Sequence, residues 1–160
     1  ARGLHAAAEV GITHRDIKPD NVMITTKGTA KLMDFGLVKR ADDESGVTQH
    51  GIILGTPRYM SPEQARCEEV DLRSDIYSLG ATFFHMITGK PPFDGDTALA
   101  IMRKHEVAPL PPRSALPKSI PESIYELTER MMAKRREDRF QDYGALLTAI
   151  SRAQSLVGAR

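Results

Sequence analysis

The run from Ser74 to Ile87 constrains this chain more than any other part of it. Ile76, Leu79, Phe83, Met86 and Ile87 fall at helical spacing, and Tyr77, Ala81 and Phe84 fill the other side. A helix that is apolar on most faces has to sit in the middle of a core, so the remaining segments must wrap it. Gly89 stops it and Pro91-Pro92 prevent its continuation. With 160 residues the chain can bury such a core in one domain without a disulfide framework.

The flanking segments predict mostly helices. Leu4 to Val10 reads as the last turns of a helix stopped by Gly11. Val22-Met23-Ile24 and Lys31-Leu32-Met33, joined through Thr25-Thr26-Lys27-Gly28, predict a hairpin. From Gly36 to Tyr59 no period is sustained, and a loop of that length in a compact domain is usually functional or disordered. Helices are expected over about Thr97 to His105 with Asp96 as N-cap, Glu122 to Ala133, and Tyr143 to Leu156, with an extended proline-rich linker from Pro109 to Pro121. There is no internal repeat.

Charge excludes several partners. Twenty-two basic and 21 acidic residues leave +1, far from the concentrated positive field of a nucleic-acid or membrane surface. No apolar run approaches the roughly 20 residues that span a bilayer. The single cysteine, Cys67, cannot form an intrachain disulfide, suits a reducing compartment, and is expected to pack.

Three segments carry chemistry together: His14-Arg15-Asp16-Ile17-Lys18-Pro19-Asp20-Asn21, Asp34-Phe35-Gly36, and Gly55-Thr56-Pro57-Arg58-Tyr59-Met60-Ser61-Pro62-Glu63. Phosphoryl transfer needs a group to receive or orient a hydroxyl proton, metal to neutralise phosphates, and a cation near the migrating group. Asp16 can take the first task and Lys18 the third. Asn21 and Asp34 offer hard oxygens of the kind magnesium prefers.

In order and spacing these segments resemble the H-R-D-x-K-x-x-N, D-F-G and A-P-E motifs of protein kinases. The wording, including Arg73-Ser74-Asp75 at the head of the apolar helix, is most similar to the bacterial eukaryotic-like serine/threonine kinases. The resemblance implies an α+β protein-kinase-like fold. Of it the chain holds the mainly helical C-terminal lobe: loop 14–21, activation segment 34–63 and helical part 64–156. It implies ATP and Mg2+ (or Mn2+) as cofactors, proteins with serine or threonine acceptors as partners, and a cytoplasmic location, with any membrane anchor beyond Arg160.

The resemblance also implies roles. Asp16 would be the base, Lys18 would contact the transferred phosphate, and Asn21 and Asp34 would bind magnesium. Met23 would floor the adenine site. His14 and Phe35 would stack in a spine anchored by Asp75, and Glu63 would pair with Arg139. Lys18 together with Thr56 points to serine/threonine acceptors. Arg15 beside Asp16 implies control by phosphorylation of the activation segment, with Thr48 the candidate, Ser45 a weaker one, and His50 where some relatives carry a second threonine.

One departure matters: no G-x-G-x-x-G and no V-A-I-K-like strand occur. Since the chain opens on Ala1 in what reads as mid-helix, it is expected to be a fragment lacking the N-terminal lobe. Such a fragment would be nearly inactive alone and prone to self-association through uncovered apolar surface. Two other readings stay open. A scaffold that binds without transferring phosphate would not need Asp16, Lys18, Asn21 and Asp34 together. A small-molecule phosphotransferase would lack the segment from Asp34 to Glu63.

Overall fold

The structure is a computed structural model, and it describes residues 1–34, 39–40 and 57–158. Phe35, Thr48 and Thr56 lie outside the described residues, as do Ser45 and His50. Among the described residues six α-helices occur: α1 (Arg2–Glu9), α2 (Pro62–Ala65), α3 (Leu72–Thr88), α4 (Ala98–Val107), α5 (Glu122–Met131) and α6 (Tyr143–Gly158). Four short strands, β1 (Ile12–Thr13), β2 (Val22–Ile24), β3 (Ala30–Leu32) and β4 (Lys39–Arg40), form two antiparallel pairs, β1 with β4 and β2 with β3. The β2–β3 hairpin is the expected one, with Met23 opposite Lys31. The β1–β4 pair was not expected, because two residues on each side give no periodicity to read.

Helix α3 is the axis of the molecule. Asp71 caps it by accepting the Arg73 N–H, so the helix begins at Leu72, two residues before the expected Ser74. Gly89 ends it in the left-handed region at φ 75°, a conformation that needs no Cβ. The two sides of α3 feed two clusters. Ile76 packs with Leu4, Ile17, Leu127, Met131 and Leu146, while Tyr77, Ala81 and Phe84 pack with Tyr59, Phe93 and Met132. Gly80 lets α5 approach closely: a Cβ there would lie 2.9 Å from side-chain carbons of both Met131 and Met132.

Two expectations are corrected. Helix α4 is capped by Thr97, whose hydroxyl accepts the Ala100 N–H at 3.1 Å, and not by Asp96. A cap must stand immediately before the first helical turn to reach its third N–H, and Asp96 is one residue too early. Cys67 is exposed, not packed. It sits just past α2 at φ 56°, where the chain leaves the helix in a left-handed turn. No described helix is long and apolar enough to cross a membrane.

Candidate active site

The loop 14–21 is held from below by α3. Asp75, buried in the first turn of that helix, accepts the backbone N–H groups of His14 at 2.7 Å and Arg15 at 2.8 Å. Burial pushes its carboxyl pKa up to about 6, against the pull of those two N–H groups. Two turns along, Thr82 donates to the Ile17 carbonyl at 3.2 Å. The apolar helix therefore carries two polar side chains that fix the backbone of a polar loop. Arg15 takes φ 69°, in the region L side chains avoid, and such conformations persist only where the surroundings over-determine them.

Asp16 and Lys18 meet on the open side of the loop, with Asn21 buried beneath them. Lys18 Nζ lies 2.7 Å from Asp16 Oδ2, with the two side chains 23% and 14% exposed, so the pair is reachable yet not fully hydrated. The Asn21 amide nitrogen donates to the Asp16 backbone carbonyl at 2.8 Å and stands 3.3 Å from its Oδ2. A short 3₁₀ turn over Pro19–Asn21 makes this possible by folding Asn21 back beneath Asp16. Asn21 and Asp34 are tied through the backbone, since the Asn21 carbonyl accepts the Met33 N–H at 2.7 Å. Asp34 follows at φ 61° and is exposed. His14, itself buried, reaches the Met33 carbonyl with Nε2 at 3.2 Å. Met23 is 51% exposed on β2, in the hairpin whose second strand stops two residues before Asp34.

The third segment returns to the core at Tyr59. Met60, Ser61 and Glu63 are buried, and Glu63 meets Arg139 at 2.7 and 2.9 Å. Burial works to raise the Glu63 pKa, but the Arg139 guanidinium and the Ser74 hydroxyl outweigh it and bring it down to about 2. Ser61 and Gln64 form a reciprocal capping box at the head of α2.

Several participants escaped sequence reading. Gln64 donates its side-chain amide to the Arg15 carbonyl at 2.8 Å, joining α2 to the loop. The S-x-x-Q spacing of Ser61 and Gln64 is a readable cap signal, but nothing in it announces the second contact. Tyr77 and His105 are buried together, with the half-buried Lys134 beside them. Tyr77 Oη lies 2.9 Å from His105 Nδ1, and Lys134 sits 4.3 Å from the Phe93 ring centroid. One histidine on an amphipathic helix carries no sequence signal of such partners.

Comparison with known proteins adds family evidence. The family model described as protein kinase domain matches residues 1–149. The chain is 48% identical over 134 residues to a protein named probable serine/threonine-protein kinase PknB of Bifidobacterium longum, covering 82% of the chain and 19% of that protein. It is 43% identical over 157 residues to serine/threonine-protein kinase PknL of Mycobacterium tuberculosis, covering 96% and 39%. To the DNA damage-responsive serine/threonine-protein kinase RqkA of Deinococcus radiodurans it is 39% identical over 146 residues, covering 91% and 22%. The chain thus spans well under half the length of each of these relatives.

Proposed function

The chain belongs to the protein kinase domain family, and from that premise we propose that the protein transfers the γ-phosphoryl group of ATP to serine and threonine hydroxyls of other proteins. The single observation that carries the proposal is the convergence of a partly exposed Asp16 and Lys18 with the buried Asn21, backed by Asp75 and Thr82 of α3. The names of the relatives support serine and threonine as acceptors.

Asp16 is the group that takes the proton of the attacking hydroxyl. Its carboxylate is held by the Asn21 amide and the Lys18 ammonium, so it reaches the acceptor in one orientation without having to reorganise. Lys18 places positive charge beside the spot where negative charge accumulates during transfer. A divalent cation suits the donors present. The Asn21 amide nitrogen is committed to Asp16, which leaves its carbonyl oxygen as the hard ligand, and Asp34 presents an exposed carboxylate next along the hairpin. Magnesium commonly takes one or two protein oxygens and completes its shell with phosphates and water. Asn21 and Asp34 would hold Mg2+ (or Mn2+), whose charge would offset that of the ATP phosphates. Met23 gives adenine an apolar surface.

The same reading assigns residues 34–63 as the activation segment and 64–156 as the helical part of the domain, with Glu63 and Arg139 as its structural tie. Thr48 is the regulatory phosphorylation site within that segment. The Arg15 Nε is buried without a hydrogen-bond partner among the described residues, which supports Arg15 as the group that answers a phosphate. Residues 1–160 contain no glycine-rich phosphate loop, so this stretch expressed alone should transfer phosphate poorly. The single cysteine and the need for ATP support the cytoplasm as the compartment of the reaction.

The test uses the whole protein with whatever flanks residues 1–160 in its gene. Incubated with γ-labelled Mg-ATP and a general acceptor protein such as casein, it should yield labelled phosphoserine and phosphothreonine. Label on tyrosine alone, or none, would contradict the proposal.

A further inference from the structure

Gln64 holds two structures at once. Its carboxamide oxygen accepts the Ser61 N–H at 3.0 Å, and its own backbone N–H donates to Ser61 Oγ at 3.3 Å. A backbone N–H can only donate, so the side-chain oxygen must face Ser61 and the nitrogen must face away from it. That nitrogen donates to the Arg15 carbonyl at 2.8 Å, across 49 residues of sequence.

The Arg15 carbonyl belongs to the peptide that joins Arg15 to Asp16. On one side of Arg15, Asp75 Oδ1 holds its N–H at 2.8 Å. On the other side Gln64 holds its carbonyl, and the Asp16 N–H in the same peptide lies 3.4 Å from His14 Nδ1. Between these grips the backbone sits at φ 69°, a conformation an arginine does not adopt unforced. A peptide plane fixed in this way sets the direction in which the Asp16 side chain leaves the backbone.

We propose that Gln64 is a positioning residue for phosphoryl transfer: it holds the Arg15–Asp16 peptide and so aims the Asp16 carboxylate. The proposal rests on the reading of Asp16 as the group that takes the acceptor's proton. It also gives the site a coupling to the segment before α2. Gln64 keeps its orientation only while Ser61 Oγ and N–H close the capping box, so a displacement of Ser61 releases the grip on the peptide beside Asp16.

Gln64→Glu in the whole protein separates this role from capping. Glutamate serves a capping box as well as glutamine does, but it turns a donor toward the Arg15 carbonyl into an acceptor. At neutral pH kcat should fall by about 10- to 100-fold, the scale of a misplaced catalytic group, with KM for ATP unchanged and the loss persisting at temperatures far below the thermal midpoint of the variant. Protonation restores an O–H donor to the side chain. The gap between variant and wild type should therefore narrow as pH falls toward the carboxyl range near about 4.3. Gln64→Ala removes the donor without adding charge, should lose kcat to a similar degree at every pH, and carries the test if the glutamate variant does not fold. Wild-type kcat in both variants would overturn the proposal, as would losses that track the thermal midpoint and vanish on cooling. If the wild type transfers no phosphate at all, the reading of Asp16 fails first and this proposal falls with it.

Discussion

Glu63 and Arg139 stand 76 residues apart in sequence and meet as a two-pronged ion pair with neither side chain more than 1% exposed. The guanidinium is satisfied on every side: it donates as well to the carbonyls of Arg73, Ala133 and Lys134. Its Cζ lies 4.9 Å from the Tyr77 ring centroid. One interaction thereby ties the end of the third motif to the head of α3 and to the turn that precedes α6.

Removing one partner should leave a buried, unpaired charge. Arg139→Met is expected to destabilise by about 3–5 kcal/mol, measured by urea denaturation of the whole protein. Arg139→Lys should recover little, because an ammonium cannot reproduce the fork or reach the three carbonyls together. A loss below about 1 kcal/mol for Arg139→Met would place this pair with exposed ones.

Acid should weaken the fold through two groups of the same sign. The folded Glu63 pKa lies near 2, below its ordinary 4.5. Its contribution is present above pH 4.5 and is lost as pH falls toward 2. His105 is held neutral by burial and by the nearby Lys134 charge, with the Arg58 backbone opposing, at a pKa near 3 against 6.5. Stability from the neutral ring is present above pH 6.5 and declines as pH falls toward 3. Between pH 6.5 and 4.5 Glu63 is silent, while Asp75, with its carboxyl raised to about 6, adds stability as pH falls in wild type and variant alike. Against that common background His105→Asn, which can still accept from Tyr77 Oη, should remove the acid-side loss seen in the wild type. An unchanged slope would show that His105 already charges in the folded state.

Gly80→Ala tests the packing of α3 on α5. In an exposed helix interior the change stabilises by about 1 kcal/mol. Here the added carbon would collide with Met131 and Met132 at 2.9 Å, and overpacking should reverse the sign to a loss of about 1–3 kcal/mol. A rise in thermal midpoint would mean that the two methionines can move aside.

How far the sequence alone reached follows from these same residues. Helix α3 was legible because its apolar residues leave no face for water, and the β2–β3 hairpin because polar residues and Gly28 separate two β-rich runs. The convergence of Asp16, Lys18 and Asn21 was legible because all three fall within six residues. What was not legible is contact across long separations. Gln64 on Arg15 and Lys134 under Tyr77 arise from how α2, α3 and α5 pack, and no local pattern encodes that. The Glu63–Arg139 pair was expected only through the family resemblance. The error at Thr97 was local: Asp96 and Thr97 are both good caps, and only the first helical turn decides between them.

Phosphorylation at Thr48 should set activity through Arg15. The added phosphate can form about 1–3 charge-assisted hydrogen bonds with an arginine placed to receive it. In the whole protein Thr48→Ala should lower kcat toward that of the dephosphorylated wild type, whereas Ser45→Ala should leave it unchanged. Phosphopeptide mass spectrometry before and after incubation with Mg-ATP checks the assignment.

The most direct measurement is the kcat of Asp16→Asn in the whole protein, with the thermal midpoint recorded beside it. Asparagine keeps the size of the side chain but cannot take a proton. Phosphoryl transfer to serine and threonine should fall by about 10²–10⁴-fold while the fold persists. Transfer at the wild-type rate by a folded Asp16→Asn protein would contradict the account.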